Sequence, residues 1–329
     1  MTDSLRGRCE LFVGNQRILK KAFRFETTHM LSLCSFLGAN EKAISDPSRI
    51  RACRKEIRSK NGMWSNFGSF SLLALASLNS LDPDKEQTLD KAIEIYKKLC
   101  QKVHSSSYVS IASYLLSKLS ESDTDTSVAR TISSLELIKK LFPRQRLGDD
   151  IVYAAIFSIS ERTEEDLTKS LEECALYLSS SVSKQSLKLL SVACAINGSD
   201  PSSCAQRFIS LRDEIEKRGI RIHKNDRYTL LHVFTLSCIK VPQNELADLL
   251  FEVYTYFKEQ NCFGRLFGKA QKLVYSILNL YGEYVPENEK KSDPEVKAEV
   301  KGSSLSVATS VSAVICAEIS RALAANSVI

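Results

Sequence analysis

Short, mostly apolar segments alternate with longer amphipathic segments along residues 70–262, and this alternation restricts the fold more than any other feature. The pattern occurs five times, in units that begin at Ser71, Tyr108, Ile151, Gln185 and Arg227. The unit starts lie roughly 34 to 43 residues apart, which is the spacing of repeats built from two helices. We therefore predict five helix–turn–helix units in this part of the chain.

The two segments of a unit differ in how their apolar residues are distributed. In the first unit, Leu72, Leu73 and Leu75 cover more than one face of a helix, so this helix must be buried on several sides. Farther along, Leu89 and Ile93 recur at helical spacing among lysines and glutamates. That period predicts a second helix with one buried stripe and one solvated face.

Two of the second helices are preceded by an Asp-Pro pair, at Asp82–Pro83 and Asp200–Pro201. An aspartate at the N-cap accepts backbone N–H bonds, and proline fits the first turn because no intrahelical donor is needed there. These pairs predict where the second helices begin.

The predicted fold class is all-α, with stacked antiparallel helix pairs similar to an α-solenoid and atypical helices at both ends. Because stacked pairs share one continuous core, we predict a single elongated domain. The predicted segments are a helical repeat domain (1–285) made of basic N-terminal helices (1–60), five helix pairs (70–262) and a further helix (264–285), then a charged flexible linker (286–302) and a small-residue C-terminal helix (303–329).

The predicted C-terminal helix is rich in serine and alanine. Its uncharged stretch before Glu318 covers about 15 residues, fewer than the roughly 20 apolar residues that a membrane span needs. Small residues allow helices to approach closely, so we expect this helix to dock on the helical domain. A membrane-binding or partner-binding tail is the alternative.

The ten cysteines predict a reducing compartment. They contain no CxxC spacing, and several, such as Cys174 and Cys194, lie on apolar helical faces, as reduced and buried thiols do. No long apolar run follows the early arginines, so we expect no signal peptide. The cytoplasm is the predicted location.

The basic excess of the chain lies in its N-terminal part. Residues 1–60 contain 13 lysines and arginines against 6 acidic residues, whereas the remaining residues contain 32 against 33. Clustered cations are candidates for binding an anion or an acidic partner, although a solvated surface is the simpler interpretation. The candidate residues are Arg51, Arg54, Lys55 and Arg58 on one predicted helix, and Arg218, Arg221, Lys224 and Arg227 between the fourth and fifth units.

Motifs for catalysis, cofactors and metals are missing from the sequence. No GxGxxG, GxxxxGK[ST], GxSxG or HExxH is present, and no two of the four histidines have ligand spacing. His232 lies among Leu230, Leu231 and Phe234, which favours a packed histidine over a catalytic base. We therefore predict no catalytic, cofactor-binding or metal-binding residue and no cofactor.

Two runs carry a resemblance to a known family: LKKAFRFETTHMLSLCSFL and RIRACRKEIRSKNGMWSNFGSFSLLALASL. In pattern and order they resemble the bacterial family catalogued as domain of unknown function 4003. The later run YKKLCQKVHSSSYVSIASYLL and the small-residue C-terminal helix are similar too. The resemblance implies a soluble bacterial protein, and it carries over no activity and no catalytic residue.

These observations favour a non-catalytic scaffold that binds a protein or peptide on a concave face. The alternative is binding of nucleic acid or an acidic partner through the basic N-terminal region, which would require a single continuous positive groove. An enzyme with a site assembled from distant residues is the third hypothesis, and it would require a deep pocket holding several buried carboxylates. We expect no membrane span.

Overall fold

The structure is a computed structural model that describes residues 1–62, 67, 69–145, 147–160, 162–264, 267–284, 305 and 308–321. Within these residues the chain forms α-helices and one short 3₁₀ helix, and no strand. The all-α prediction is therefore confirmed. The predicted linker, residues 286–302, and the last eight residues of the predicted C-terminal helix lie outside the described residues.

In the part of the chain up to residue 284 that the structure describes, fourteen α-helices alternate between an outer and an inner layer. The outer helices are α1 (Asp3–Ala22), α3 (Pro47–Asn61), α5 (Lys85–Cys100), α7 (Thr124–Leu141), α9 (Glu164–Leu178), α11 (Pro201–Lys217) and α13 (Gln243–Glu259). The inner helices are α2 (Thr28–Asn40), α4 (Leu72–Leu81), α6 (Ser107–Leu119), α8 (Asp150–Ser160), α10 (Lys184–Asn197), α12 (Arg227–Ser237) and α14 (Lys269–Tyr284). The 3₁₀ helix Asn261–Phe263 precedes α14.

The layers follow from the apolar patterns. Inner helix α8 is buried along residues 150–157, on all faces, whereas outer helix α5 buries Leu89 and Ile93 and exposes Asp90 between them. At the start of α11, Asp200 caps the helix as predicted and accepts the Ser203 N–H at 2.8 Å. Asp82 differs, because it ends α4 instead of capping α5.

Among the outer helices, each inner helix packs most closely on the one that precedes it, as in α3 with α4 and α5 with α6. The five predicted units pair each inner helix with the following outer helix, so the packed pairs begin one helix earlier. Helices α1, α2, α3 and α14 continue the same alternation, which makes seven pairs within the described residues.

The first and last pairs meet, and the stack closes into a ring. Helix α14 contacts both α1 and α2. The Phe12 ring of α1 lies 5.1 Å from the Phe257 ring, 5.6 Å from the Phe263 ring and 5.3 Å from the Tyr275 ring, measured between centroids. This closed ring differs from the predicted elongated stack because an aromatic cluster joins the two ends.

Residues 308–321 form a helix, called here the C-terminal helix, that occupies the lumen of the ring. Its residues 312–319 are all buried. The Ser310 carbonyl lies 3.0 Å from His232 Nε2 on α12, and the Ser320 hydroxyl lies 2.9 Å from the Tyr108 hydroxyl on α6. Since α6 and α12 stand on opposite sides of the ring, this helix fills the space between them.

Candidate functional site

The lumen has two ends of different character. At the cleft end, the first residues of the C-terminal helix meet the carboxyl ends of α2, α4 and α6. At the charged end, its last residues meet the amino ends of α6, α8 and α12. The C-terminal helix therefore runs antiparallel to the inner helices and touches both ends.

The cleft end contains a cavity of about 290 Å³. Helices α4 and α6 scarcely touch each other, and the cavity lies between them and the C-terminal helix. Its apolar walls are formed by Leu37, Leu78, Leu81, Ile111, Leu115, Leu119, Val311 and Ile315. The cavity reaches solvent, because its lining also includes the exposed residues Glu41, Pro83 and Lys118. We call this feature the cleft.

Two buried polar groups line the cleft. Asp82 Oδ1 lies 2.8 Å from Lys118 Nζ and accepts the Asp84 N–H at 3.0 Å. Burial favours the neutral acid, but hydrogen bonds from Lys118, Asp84 and Thr88 hold the pKa of Asp82 below its ordinary value. Ser312 is fully buried, and its hydroxyl has no hydrogen-bond partner among the described residues.

The charged end is held by a network that joins three inner helices to the C-terminal helix. Arg227 Nη2 lies 3.2 Å from Asp149 Oδ2, and its guanidinium stacks 4.5 Å from the centroid of the Tyr228 ring. The Tyr228 hydroxyl donates to Asp149 at 3.1 Å and contacts the Ser320 hydroxyl at 3.3 Å. Ser320 also contacts Tyr108, so a single hydroxyl connects the network to α6.

Burial sets the protonation states at this end. Desolvation raises the pKa of Tyr228, so it stays a neutral hydrogen-bond donor. Burial opposes the charge on Arg227, yet the Asp149 carboxylate raises the pKa of the guanidinium. The two groups therefore form a charged pair in which Asp149 also accepts from a neutral phenol.

A second buried ion pair lies beside this network. Lys188 Nζ is 2.5 Å from Asp150 Oδ1, and Lys188 and Asp150 are 4% and 5% exposed. Burial raises the pKa of Asp150, against the opposing effect of the lysine. A pair so deeply buried is strongly destabilised when one partner is lost, because the other charge is left alone in a poorly solvated site.

His232 links the inner ring to the C-terminal helix. Its Nδ1 lies 2.6 Å from the Tyr228 carbonyl and its Nε2 lies 3.0 Å from the Ser310 carbonyl. Burial lowers the pKa of His232, although the two carbonyls favour the charged ring. A neutral imidazole has one N–H, so it donates to only one of these two carbonyls. The prediction of a packed histidine agrees with this position.

The predicted basic residues on α3 lie on the outer layer. Arg51 donates to the Ala22 carbonyl at 2.7 Å and stacks on Phe23, and Arg54 pairs with Glu26 at 2.9 Å. Lys55 and Arg58 are exposed. Two of these four cations are therefore committed to contacts within the protein.

The other four predicted cations are divided between solvent and the charged end. Arg218 pairs with Glu214 at 2.8 Å and with Asp248 at 2.6 Å, while Arg221 and Lys224 are exposed in the loop before α12. Arg227 is half-buried and pairs with the buried Asp149. Helix α3 packs on α1 and α4, whereas α11 packs on α9, α10, α12 and α13, so the two groups of cations lie on different parts of the ring.

The match to a known family extends over most of this fold. The family described as protein of unknown function, DUF4003, matches residues 15–319 of the 329 residues. The chain belongs to the DUF4003 family. The matched residues run from α1 through most of the C-terminal helix, so the ring and its lumen are both included. No curated protein and no solved structure matches this DUF4003 chain.

The buried carboxylates of this DUF4003 protein are distributed over separate sites. Asp82 lines the cleft, Asp149 and Asp150 lie at the charged end, and Glu318 lies on the C-terminal helix. Each of the four carboxylates is paired with a cation, Lys118, Arg227, Lys188 and Arg321 respectively. In the part of the chain that the structure describes, no group of three or more His, Cys, Asp or Glu is arranged to hold a metal ion. Among the same residues, no helix is long and apolar enough to cross a membrane.

Sequence reasoning missed several residues of the two ends. Lys188 interrupts the apolar run QSLKLLSVACAI, and a single lysine inside such a run is a readable sign of a buried charge. Asp82, Tyr108 and Ser320 carry no comparable sign, because their importance comes from partners that are distant along the chain. The DUF4003 protein thus has an open apolar cleft at one end of its lumen and a polar network at the other.

Proposed function

We propose that this DUF4003 protein is a non-catalytic scaffold that binds an amphipathic helix of a partner protein in the cleft. The observation that supports this proposal is the cleft, an open apolar cavity between α4 and α6, which make few contacts with each other. Its walls are three inner helices and the C-terminal helix, and such walls suit a helix whose apolar face inserts into a groove.

The size and lining of the cleft support this occupant. A volume of about 290 Å³ is close to the lower bound, about 300 Å³, of pockets that take drug-sized ligands. It accommodates a few large apolar side chains, which are the anchors that dominate protein interfaces. The half-buried Leu78, Leu81, Leu115 and Leu119 supply apolar contact, while the buried Ser312 hydroxyl offers a free hydrogen-bonding group.

The ionisable groups favour binding over catalysis. The carboxylate in the cleft, Asp82, is already paired with Lys118, and the pKa of Asp82 is lowered, not raised toward neutrality. General acid–base chemistry at neutral pH needs a group whose pKa lies near the working pH. The paired carboxylate therefore suits a role in shaping the cleft.

The basic residues give little support to nucleic-acid binding. Arg51, Arg54, Arg218 and Arg227 make contacts within the protein, and the remaining four candidates are divided between α3 and the loop before α12. A nucleic-acid site needs a continuous positive surface.

The proposed compartment is the cytoplasm of a bacterial cell, and it is supported by ten cysteines that are all free thiols.

The test is a selection of phage-displayed helical peptides on the full-length protein. The affinity of each selected peptide is then measured by fluorescence anisotropy for the wild type and two variants. Leu115→Lys places a charge on the cleft wall, whereas Leu176→Lys makes the same change at an exposed leucine of outer helix α9. We expect Leu115→Lys to weaken binding at least tenfold and Leu176→Lys to leave it within about twofold.

Two outcomes would contradict the proposal. One is a set of peptides that bind the wild type, Leu115→Lys and Leu176→Lys equally well. The other is a selection that yields no binding peptide at all. Leu119→Ser, a milder change on the same wall, guards against misfolding of the lysine variant, and thermal unfolding of all variants identifies any that are destabilised.

A further inference from the structure

Four thiols from four consecutive helices lie in one connected group, which we call the thiol cluster. It consists of Cys174 on α9, Cys194 on α10, Cys204 on α11 and Cys238 at the end of α12. The Cys194 thiol lies close to the Cys174 and Cys204 thiols and donates to the Ser199 carbonyl at 3.9 Å. The Cys238 thiol donates to Cys204 at a distance of 3.5 Å between the sulfur atoms.

The segments that carry Cys204 and Cys238 are held together by other contacts. Arg207, one turn after Cys204, donates from Nε to the Ser237 carbonyl at 2.8 Å. Its Nη2 donates to the Val241 carbonyl at 3.0 Å and also to the Ile239 carbonyl. The guanidinium thus fixes the loop that begins at Cys238 onto α11, and the two thiols are held near each other.

The environment distinguishes the two thiols chemically. Hydrogen bonds from Cys194 and Cys238 lower the pKa of Cys204, against the opposing effect of burial. Donating to Cys204, together with burial, raises the pKa of Cys238 well above its ordinary value. The hydrogen bond between the two sulfur atoms runs from the Cys238 thiol to the Cys204 sulfur. Because the thiolate is the nucleophile in cysteine chemistry, we assign the acceptor, Cys204, as the attacking sulfur and the donor, Cys238, as the resolving one.

Access and spacing fit such a reaction. Cys204 is 4% exposed and Cys238 is half-buried, so only a small oxidant approaches the pair from the side of Cys238. A disulfide bond is about 2.05 Å long, so the sulfur atoms must approach by about 1.5 Å. Side-chain rotation at Cys238, at the end of its helix, is a local way to provide that movement.

We propose that Cys204 and Cys238 are a modification site at which a small hydroperoxide forms a reversible disulfide. The Cys204 thiolate attacks one peroxide oxygen, the O–O bond breaks, and the released oxygen takes a proton and leaves as water or an alcohol. Cys204 is then a sulfenic acid. The Cys238 sulfur attacks the Cys204 sulfur, the S–O bond breaks, and hydroxide leaves with the Cys238 proton as water. Two electrons pass from the sulfurs to the peroxide.

The bond joins the first turn of α11 to the end of α12 and closes a loop between residues 204 and 238. A small-molecule thiol reverses it by thiol–disulfide exchange, in which the added thiol is oxidised and both cysteines regain their protons. This site is independent of the cleft, because no residue of the thiol cluster lines the cleft.

The test treats the full-length protein with dilute hydrogen peroxide and measures free thiols and cross-linked peptides by mass spectrometry. We expect the ten free thiols to fall to eight, with one peptide pair joined through Cys204 and Cys238, and dithiothreitol to restore all ten. Cys204→Ser and Cys238→Ser abolish the cross-link. Cys100→Ser, a change at another partly exposed thiol outside the cluster, leaves it unchanged.

Several results would overturn the assignment. They are a full count of ten thiols after peroxide treatment, a principal cross-link between Cys204 and Cys194, or a cross-link whose yield is the same in Cys238→Ser. Circular dichroism of each variant reports whether it folds. Cys238 is half-buried at the end of α12, so we expect Cys238→Ser to fold. This variant provides the decisive measurement if Cys204→Ser does not fold.

Discussion

The two ends of the lumen hold the same helix by different means. At the cleft end, Val311 and Ile315 face an incompletely filled apolar cavity. At the charged end, Ser320 joins hydroxyls from α6 and α12, beside the Asp149–Arg227 and Asp150–Lys188 pairs. Buried polar groups must meet partners at fixed distances and angles, whereas apolar contact is non-directional and allows different occupants. The charged end is therefore suited to locating the helix, and the cleft end to accommodating another molecule.

Deleting residues 303–329 removes both kinds of contact and gives the largest expected effect. The buried side chains lost include Leu305, Val314, Ile315 and Ile319. At about 1.5–3 kcal/mol for each large apolar side chain, the free energy of unfolding falls by an amount on the order of 6–12 kcal/mol, comparable to the whole stability of many domains. We expect aggregation or a much lower melting temperature in thermal unfolding.

A truncated protein that melts at the wild-type temperature would contradict this role of the C-terminal helix. It would favour the alternative of a tail that binds a membrane or a partner, and the truncated protein would then also be the more soluble one. Light scattering of the two proteins at equal concentration separates these outcomes.

Breaking the charged end alone has the next largest effect. Lys188→Met leaves the Asp150 carboxylate buried without its cation, and we expect a loss of about 3–5 kcal/mol in urea unfolding. The control is Lys169→Met, because Lys169 pairs with Glu173 at 3.9 Å on an exposed face, where a pair contributes about 1 kcal/mol or less. Equal losses in the two variants would show that burial does not strengthen the pair. Asp150→Leu combined with Lys188→Met should recover stability relative to Lys188→Met.

Lowering the pH tests the role of His232, which joins the ring to the C-terminal helix. Burial lowers the pKa of His232, so below the unfolded value of about 6.5 the unfolded chain binds a proton that the native state does not. The free energy of unfolding should therefore fall as the pH drops through this value. His232→Gln should flatten this slope between about pH 7 and 5. A slope that is unchanged in His232→Gln would mean that other groups cause it.

The smallest effect is expected at the cleft. Leu115→Ala shortens a half-buried side chain that already faces vacant space, so we expect a loss of about 1 kcal/mol or less. Leu116→Ala, at the next position on α6, removes a side chain that is fully buried and does not line the cleft, and it should cost about 2–5 kcal/mol. Similar losses in the two variants would mean that the cleft wall is part of the core, and would remove the basis for a binding site there.

Much of the secondary structure was predictable, and for local reasons. The N-cap at Asp200, the buried stripe of α5 and the all-round burial of α8 each depend on residues within a few positions of one another. The candidate sites were less predictable. Arg227 reads as part of a basic loop, yet it is paired with Asp149, 78 residues earlier in the chain.

The sequence by itself determined that the chain is helical, where most helices begin and end, and which helices are buried on all sides. Only the tertiary structure decided that the stack closes, that the lumen contains the C-terminal helix, and that its two ends differ. Periodicity reports which face of a helix is apolar, but every apolar face is compatible with many partners. The meeting of Phe12 with Phe257 and of Tyr108 with Ser320 joins residues more than 200 positions apart. Such partners are selected by the packing of the whole chain, because no local pattern distinguishes one apolar or hydroxyl-bearing face from another.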